Sequence, residues 1–248
     1  MQNYYEIQTE GGIMRGFFHT PCQKTFPVCI IFHGFTGCNT GTKFSYTKLS
    51  RMLEKKGIGT LRMDFLGTGQ SDLDFKDMTF ENELSCASLM LENMLSQDKV
   101  TDIYLLGHSM GGVIASELAK MYPDKIKKMC LWSPAFHLPE AIDYLIGHVE
   151  KSDYYDHSGF EISHSFVEDI LSRDFYKNLD VYKNELMILH GTKDMTVPYD
   201  ISKKYLKGFY NPLFYSIQDA SHNYDKREHI QQVIELTYQF FINKSIDD

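Results

Sequence analysis

Apolar residues along this chain come in two alternating rhythms. Short runs that are apolar almost throughout occur at 26–34 (FPVCIIFHG), 57–65 (GIGTLRMDF), 102–108 (DIYLLGH), 126–134 (IKKMCLWSP), 185–191 (ELMILHG) and 212–219 (PLFYSIQD). Strands covered by helices on both faces have this character. Between them, 42–57, 79–97, 110–123 and 199–208 carry apolar residues at spacings of three and four, and 227–244 closes the chain in the same way. That period predicts amphipathic helices. Strand–helix alternation of this length implies an α/β chain with a mostly parallel, twisted sheet and helices on both faces.

Two segments depart from the rhythm. The first twenty residues read as two strands meeting at Gly11-Gly12, an antiparallel hairpin at the sheet edge. Residues 135–184 are acidic and aromatic, with Tyr144, Tyr154, Tyr155, Phe160, Phe166, Phe175 and Tyr176. The segment is too long for a plain connection, so it is expected to carry structure of its own. The organisation expected is one core, 1–134 with 185–248, and an inserted cap over the active site at 135–184. No internal repeat or low-complexity linker interrupts it.

Composition narrows the class. The chain has 248 residues, 43% hydrophobic and 23% charged, with 25 Lys and Arg against 33 Asp and Glu, a net charge of -8. No basic stripe is present, so neither nucleic acid nor an anionic membrane is an expected partner. The N-terminal MQNYYEIQTEGG has no basic or apolar leader character, and no apolar run approaches the ~20 residues of a membrane helix. The five cysteines are odd in number and lack C-x-x-C spacing, which suits reduced thiols in a cytoplasmic protein. Cys38, beside HGFTG, is the one that could be reactive, although no basic partner lies near it in sequence.

Candidate chemistry centres on YLLGHSMGGVIA, 104–115. The pentapeptide Gly107-His108-Ser109-Met110-Gly111 follows an apolar run directly and opens a helical pattern. A strand that turns at once into a helix strains the residue at the bend and crowds its neighbours, and glycines relieve the crowding. Ser109 is thereby presented as a nucleophile at the carboxyl edge of the sheet, where the Met110 N–H and the helix N-terminus face any developing anion. The plain alternative is a tight turn whose serine caps the helix. A serine nucleophile needs a base, and the base an orienting acid. Asp194 follows the strand at 185–191 and His222 follows the one at 212–219, both at the edge where open α/β sheets keep their sites. His190, His229 and His108 are weaker candidates for the base, and Asp219 and Asp225 for the acid, because only Asp194 sits at the preceding strand end. The glycines of HGFTG, 33–37, allow close backbone approach, so the Phe35 N–H is the expected second oxyanion donor beside that of Met110. His33, Gly34 and His108 flank these groups and are expected to contact substrate.

With HGFTG, DFLGTGQSD, GHSMGG, GTKDMTVP and SHNYD in this order, the chain resembles the α/β-hydrolase superfamily over nearly its full length. Through HGFTG, LLGHSMGGVIAS and LWSPA it looks most like small bacterial cinnamoyl/feruloyl esterases and related monoacylglycerol-lipase-like carboxylesterases. The resemblance implies the α/β-hydrolase fold, a Ser109–His222–Asp194 triad, a cap that roofs the acyl pocket, and a structural Asp64 behind the site. It implies a small ester as substrate, of a hydroxycinnamate or a short-to-medium acyl group. Lipase, thioesterase or peptidase action on the same triad, or a non-catalytic binding module, are the rival readings. Many relatives carry His where this chain has Thr68.

Cofactors and metals are not expected. His137, His148, His157 and His164 fall in the cap at irregular spacing, and a triad hydrolase needs no metal. GFTGCNTGT lacks the G-K-[ST] ending of a phosphate-binding loop. A homodimer stays open.

Overall fold

The computed structural model describes residues 1–146 and 154–243. Among the described residues, ten strands form a sheet of eight and a separate hairpin. Strands β1 (Gln2–Gln8) and β2 (Ile13–His19) make the expected N-terminal hairpin, closing with Gln8 opposite Ile13. β2 also pairs antiparallel with β4 (Gly59–Met63). β4 then pairs in parallel with β3 (Phe26–Phe32), and β3 with β5 (Val100–His108). β6 (Ile126–Trp132), β9 (Glu185–Gly191) and β10 (Leu213–Ile217) continue the parallel part, giving the order β1-β2-β4-β3-β5-β6-β9-β10.

Alternate residues of each central strand feed opposite cores, as a period of two demands. Val28, Ile30 and Phe32 of β3 and Ile103 and Leu105 of β5 join one cluster. Cys29 and Ile31 of β3 and Tyr104 and Leu106 of β5 join the other. Helices α2 (Phe80–Leu95) and α3 (Met110–Met121) cover the first face, and α1 (Ser45–Glu54) and α7 (Arg227–Phe241) the second. Each fully buried Leu or Ile contributes about 1.5–3 kcal/mol, so this two-sided burial is what makes near-continuous apolar strands favourable.

Element ends differ from the sequence expectation where backbone geometry intervenes. The helix expected from 42 starts only at Ser45, because Lys43 (φ 54°) and Phe44 (φ 60°) take left-handed conformations. Between β6 and β9 lie α4 (Leu138–Ile146), an antiparallel hairpin of β7 (Tyr154–His157) and β8 (Phe160–Ser163), and α5 (His164–Leu171). The periodicity gave no sign of that hairpin. α6 (Tyr199–Leu206) follows β9. Among the described residues no helix is long and apolar enough to cross a membrane.

Candidate active site

β5 ends at His108 and α3 begins at Met110, which leaves Ser109 alone at the bend with φ 57° and ψ -122°. A serine in that region is strained, so its surroundings must fix it. Its N–H donates to the Trp132 carbonyl at 2.9 Å, and its carbonyl accepts from Gly112 N–H at 2.9 Å and Ala135 N–H at 3.1 Å. The flanking glycines are needed because the backbone is crowded. A Cβ on Gly107 would run into the Gly111 carbonyl, and one on Gly111 into the carbonyls of Phe32 and His33.

Ser109 lines a cleft of about 410 Å³ with His33, Gly34, Phe35, His108 and His222. The 33–37 loop abuts it closely: a Cβ on Gly34 would lie 2.9 Å from the Ser109 Cβ. A Gly37 N–H to Gly34 carbonyl bond of 2.9 Å and a left-handed Thr36 (φ 59°) form the turn. Among the described residues neither the Phe35 nor the Met110 amide has an acceptor. Phe35 lines the cleft and Met110 follows Ser109 in the chain, so both uncommitted amides belong to residues adjoining the serine in space or in sequence.

His222 and Asp194 come together from the loops after β10 and β9. The His222 Nδ1–H donates to Asp194 Oδ2 at 2.8 Å, which leaves Nε2 as the ring's lone-pair nitrogen. The other carboxylate oxygen accepts the N–H groups of Thr196 at 3.0 Å and Val197 at 2.8 Å. Burial pushes the Asp194 carboxyl up, but the His222 hydrogen bond and charge, with the Val197 N–H, outweigh it and hold the group below its ordinary value. Asp194 is thus an anion at neutral pH, able to stabilise an imidazolium. Asp219 and Asp225 instead bind Lys193 and Lys43, each at 2.8 Å.

The other expected residues reach the cleft with their rings already engaged. His33 Nδ1 donates to the Gly34 carbonyl at 2.9 Å, and Nε2 accepts the Phe65 N–H at 3.2 Å. His108 Nε2–H donates to the His222 carbonyl at 3.2 Å, and its ring centre lies 5.2 Å from that of His222. Burial, reinforced by His222, drives the His108 imidazole down to about 3, so it stays neutral. Asp64 lies behind the loop, accepting the Asn39 N–H at 2.6 Å, the Asn39 side-chain amide at 2.7 Å and the Gln70 N–H at 2.9 Å.

Three supporting groups escape a reading of the sequence. Arg62, 1% exposed, donates to Asn39 Oδ1 at 2.8 Å and so braces the glycine loop from β4. The Tyr224 hydroxyl reaches the Leu189 carbonyl at 3.2 Å and Ser133 Oγ at 3.0 Å, anchoring the His222 loop to β9 and β6. His157, at the end of β7, lines the cleft with its ring 5.8 Å from that of Phe35. Only Tyr224 carried a signal, its place two residues after His222. Among the described residues no three His, Cys, Asp or Glu side chains converge to hold a metal, and His148 lies outside them.

Residues 23–152 match the family described as serine aminopeptidase, S33. The chain belongs to that hydrolase family. Its fold is that of the α/β-hydrolase superfamily. The structure of Est1E from Butyrivibrio proteoclasticus with ferulic acid bound superposes with a TM-score of 0.89, at 29% identity, over 97% of this chain and 98% of that one. Protein phosphatase methylesterase 1 of Candida albicans is 28% identical over 128 residues, 52% of this chain and 34% of that protein. Lipase 1 of Psychrobacter immobilis is 30% identical over 103 residues, 41% of this chain and 30% of the lipase. The chain spans under two thirds of the length of each curated relative it matches.

Proposed function

We propose that the protein is a serine carboxylesterase acting on small esters through an acyl-enzyme. The reading is carried by the 2.8 Å bond between His222 and Asp194, made on the rim of a cleft that His222 shares with Ser109. In this reading His222 Nε2 takes the Ser109 proton as the hydroxyl attacks the ester carbonyl. The Phe35 and Met110 N–H groups hold the tetrahedral oxyanion. His222 then protonates the departing alcohol and activates the water that releases the acid.

Two observations favour a neutral ester over a peptide with a free amino terminus. Among the described residues the cleft lining includes no Asp, Glu, Lys or Arg, so none of them places a carboxylate to hold an α-ammonium group. The rings of Phe35, Phe75, Phe166 and His157 also cluster beside the oxyanion loop, with centroids 5.2–5.8 Å from that of Phe35. Phe35 and His157 of this cluster line the cleft, while Phe166 is buried behind Phe35. An aromatic acyl group such as a hydroxycinnamate suits a cleft lined by those two rings, and the Est1E structure holds ferulic acid. In the same reading 135–184 is a cap over the site, reaching the cleft through His157.

Turnover of p-nitrophenyl butyrate and of methyl ferulate by wild type and Ser109→Ala tests the assignment. The variant is expected to lose both activities, together with labelling by a fluorophosphonate probe. Retention of wild-type turnover would remove Ser109 from the reaction.

A further inference from the structure

Asp194 has a second histidine against it besides His222. His190, the penultimate residue of β9, is fully buried. Its Nε2 lies 2.9 Å from the Val197 carbonyl and 3.5 Å from Asp194 Oδ2, the oxygen that also accepts from His222. Its Nδ1 lies 2.8 Å from the Tyr205 hydroxyl.

The partners fix the tautomer. A carbonyl oxygen can only accept, so Nε2 carries the proton, Nδ1 is the bare nitrogen, and the Tyr205 hydroxyl donates to it. Burial lowers the tendency of His190 to charge, more than the Val197 carbonyl and Asp194 raise it, so the contact with Asp194 is that of a neutral donor. The Tyr205 ring is inclined by only 21° to the imidazole, its centre 6.3 Å away, and Tyr199 stands edge-on at 5.7 Å, which fixes its plane. His222, His137 and His108 are other titratable groups whose charge couples to it.

We infer that His190, held by Tyr205, is a positioning residue for the catalytic carboxylate. Its single Nε2–H donates to the Val197 carbonyl while lying 3.5 Å from Asp194 Oδ2, so one donor ties down the 194–197 turn and also turns its positive end toward the oxygen that faces His222. The chain Tyr205–His190–Asp194–His222 thus runs from α6 to the cleft. Without the His190 donor, Asp194 keeps more of its charge for His222 and its orientation loosens. The first effect makes the imidazole more basic; the second slows chemistry more than binding.

This inference rests on the esterase reading, and the experiment separates the two. The pH profile of kcat/KM for p-nitrophenyl butyrate is compared for wild type, His190→Leu, His190→Gln and Tyr205→Phe, with Ser109→Ala alongside. In His190→Leu, kcat is expected to fall about tenfold with KM little changed, within the roughly hundredfold that an ångström of misplacement costs. Its acid limb is expected to move to higher pH by about half a unit, a fraction of the shift a full hydrogen bond to a carboxylate supports. His190→Gln, whose side-chain amide can place a donor near the same point, is expected to restore the limb. Tyr205→Phe keeps the imidazole and its Nε2–H but removes the hydroxyl that holds Nδ1, so the ring loosens and the limb is expected to move part of the way even if His190→Leu fails to fold. A role confined to holding the turn lowers kcat and leaves the limb in place, and that result in both His190→Leu and Tyr205→Phe overturns the inference. If Ser109→Ala stays active, the triad itself is wrong. If Ser109→Ala is inactive and all the other limbs coincide, only the role of His190 falls.

Discussion

At the scale of single residues, the site depends on a backbone that few side chains tolerate. Ser109 is held at φ 57° by bonds from three segments, and Gly111 is the residue that lets β3 pass close by. Gly111→Ala is therefore expected to cost several kcal/mol, of the order that overpacking a fixed core costs, and to cut fluorophosphonate labelling in the fraction that folds. A melting temperature and labelling rate equal to wild type would contradict that account. Ser109, Asp194 and His222 were legible because each sits in a local phrase whose glycines, strand end or order in the chain carries meaning. Tyr205, Ser133 and Arg62 were not. Their partners are 15, 91 and 23 positions away, and nothing in the linear pattern marks such pairs.

At the scale of elements, the strands and helices followed from period and apolar run length, and the misses have local causes. Left-handed Lys43 and Phe44 delay α1, and the β7–β8 hairpin is too short to show an alternation. Helix α2 contains an anomaly of another kind. Both oxygens of Glu83 are buried and, among the described residues, without a hydrogen-bond partner. Burial pushes its carboxyl up from 4.5 to about 8. As pH rises between those values, the unfolded chain gives up this proton while the folded chain keeps it, so stability falls across the window. Each unit of separation corresponds to about 1.4 kcal/mol. Glu83→Gln lacks that slope and is expected to gain on wild type steadily from pH 5 to pH 8 in thermal melts. A difference in melting temperature that does not change with pH would show that Glu83 is not protonated in the fold.

At the scale of the molecule, strand–helix alternation made the parallel α/β sheet legible, while the strand order came only from the coordinates, since β3 and β4 change places relative to the chain. The net charge of -8 surrounds a cleft whose lining, among the described residues, carries no Lys, Arg, Asp or Glu side chain. Attraction and repulsion of substrates is then a property of the whole surface, screened over about 10 Å at 0.1 M salt. Added salt is expected to raise kcat/KM for an ester bearing a carboxylate on its alcohol and to leave that for p-nitrophenyl butyrate unchanged. Equal salt responses for the two would place a local charge in control. A last consequence comes from Phe35, which lines the cleft while its ring lies 5.3 Å from Phe166 of α5 and 5.8 Å from His157 of β7. One residue thus joins the loop proposed to hold the oxyanion to β7 and α5. A guest large enough to lift those elements would tug on the amide itself, so poor fit would register as a slow turnover step even when the ester is held tightly.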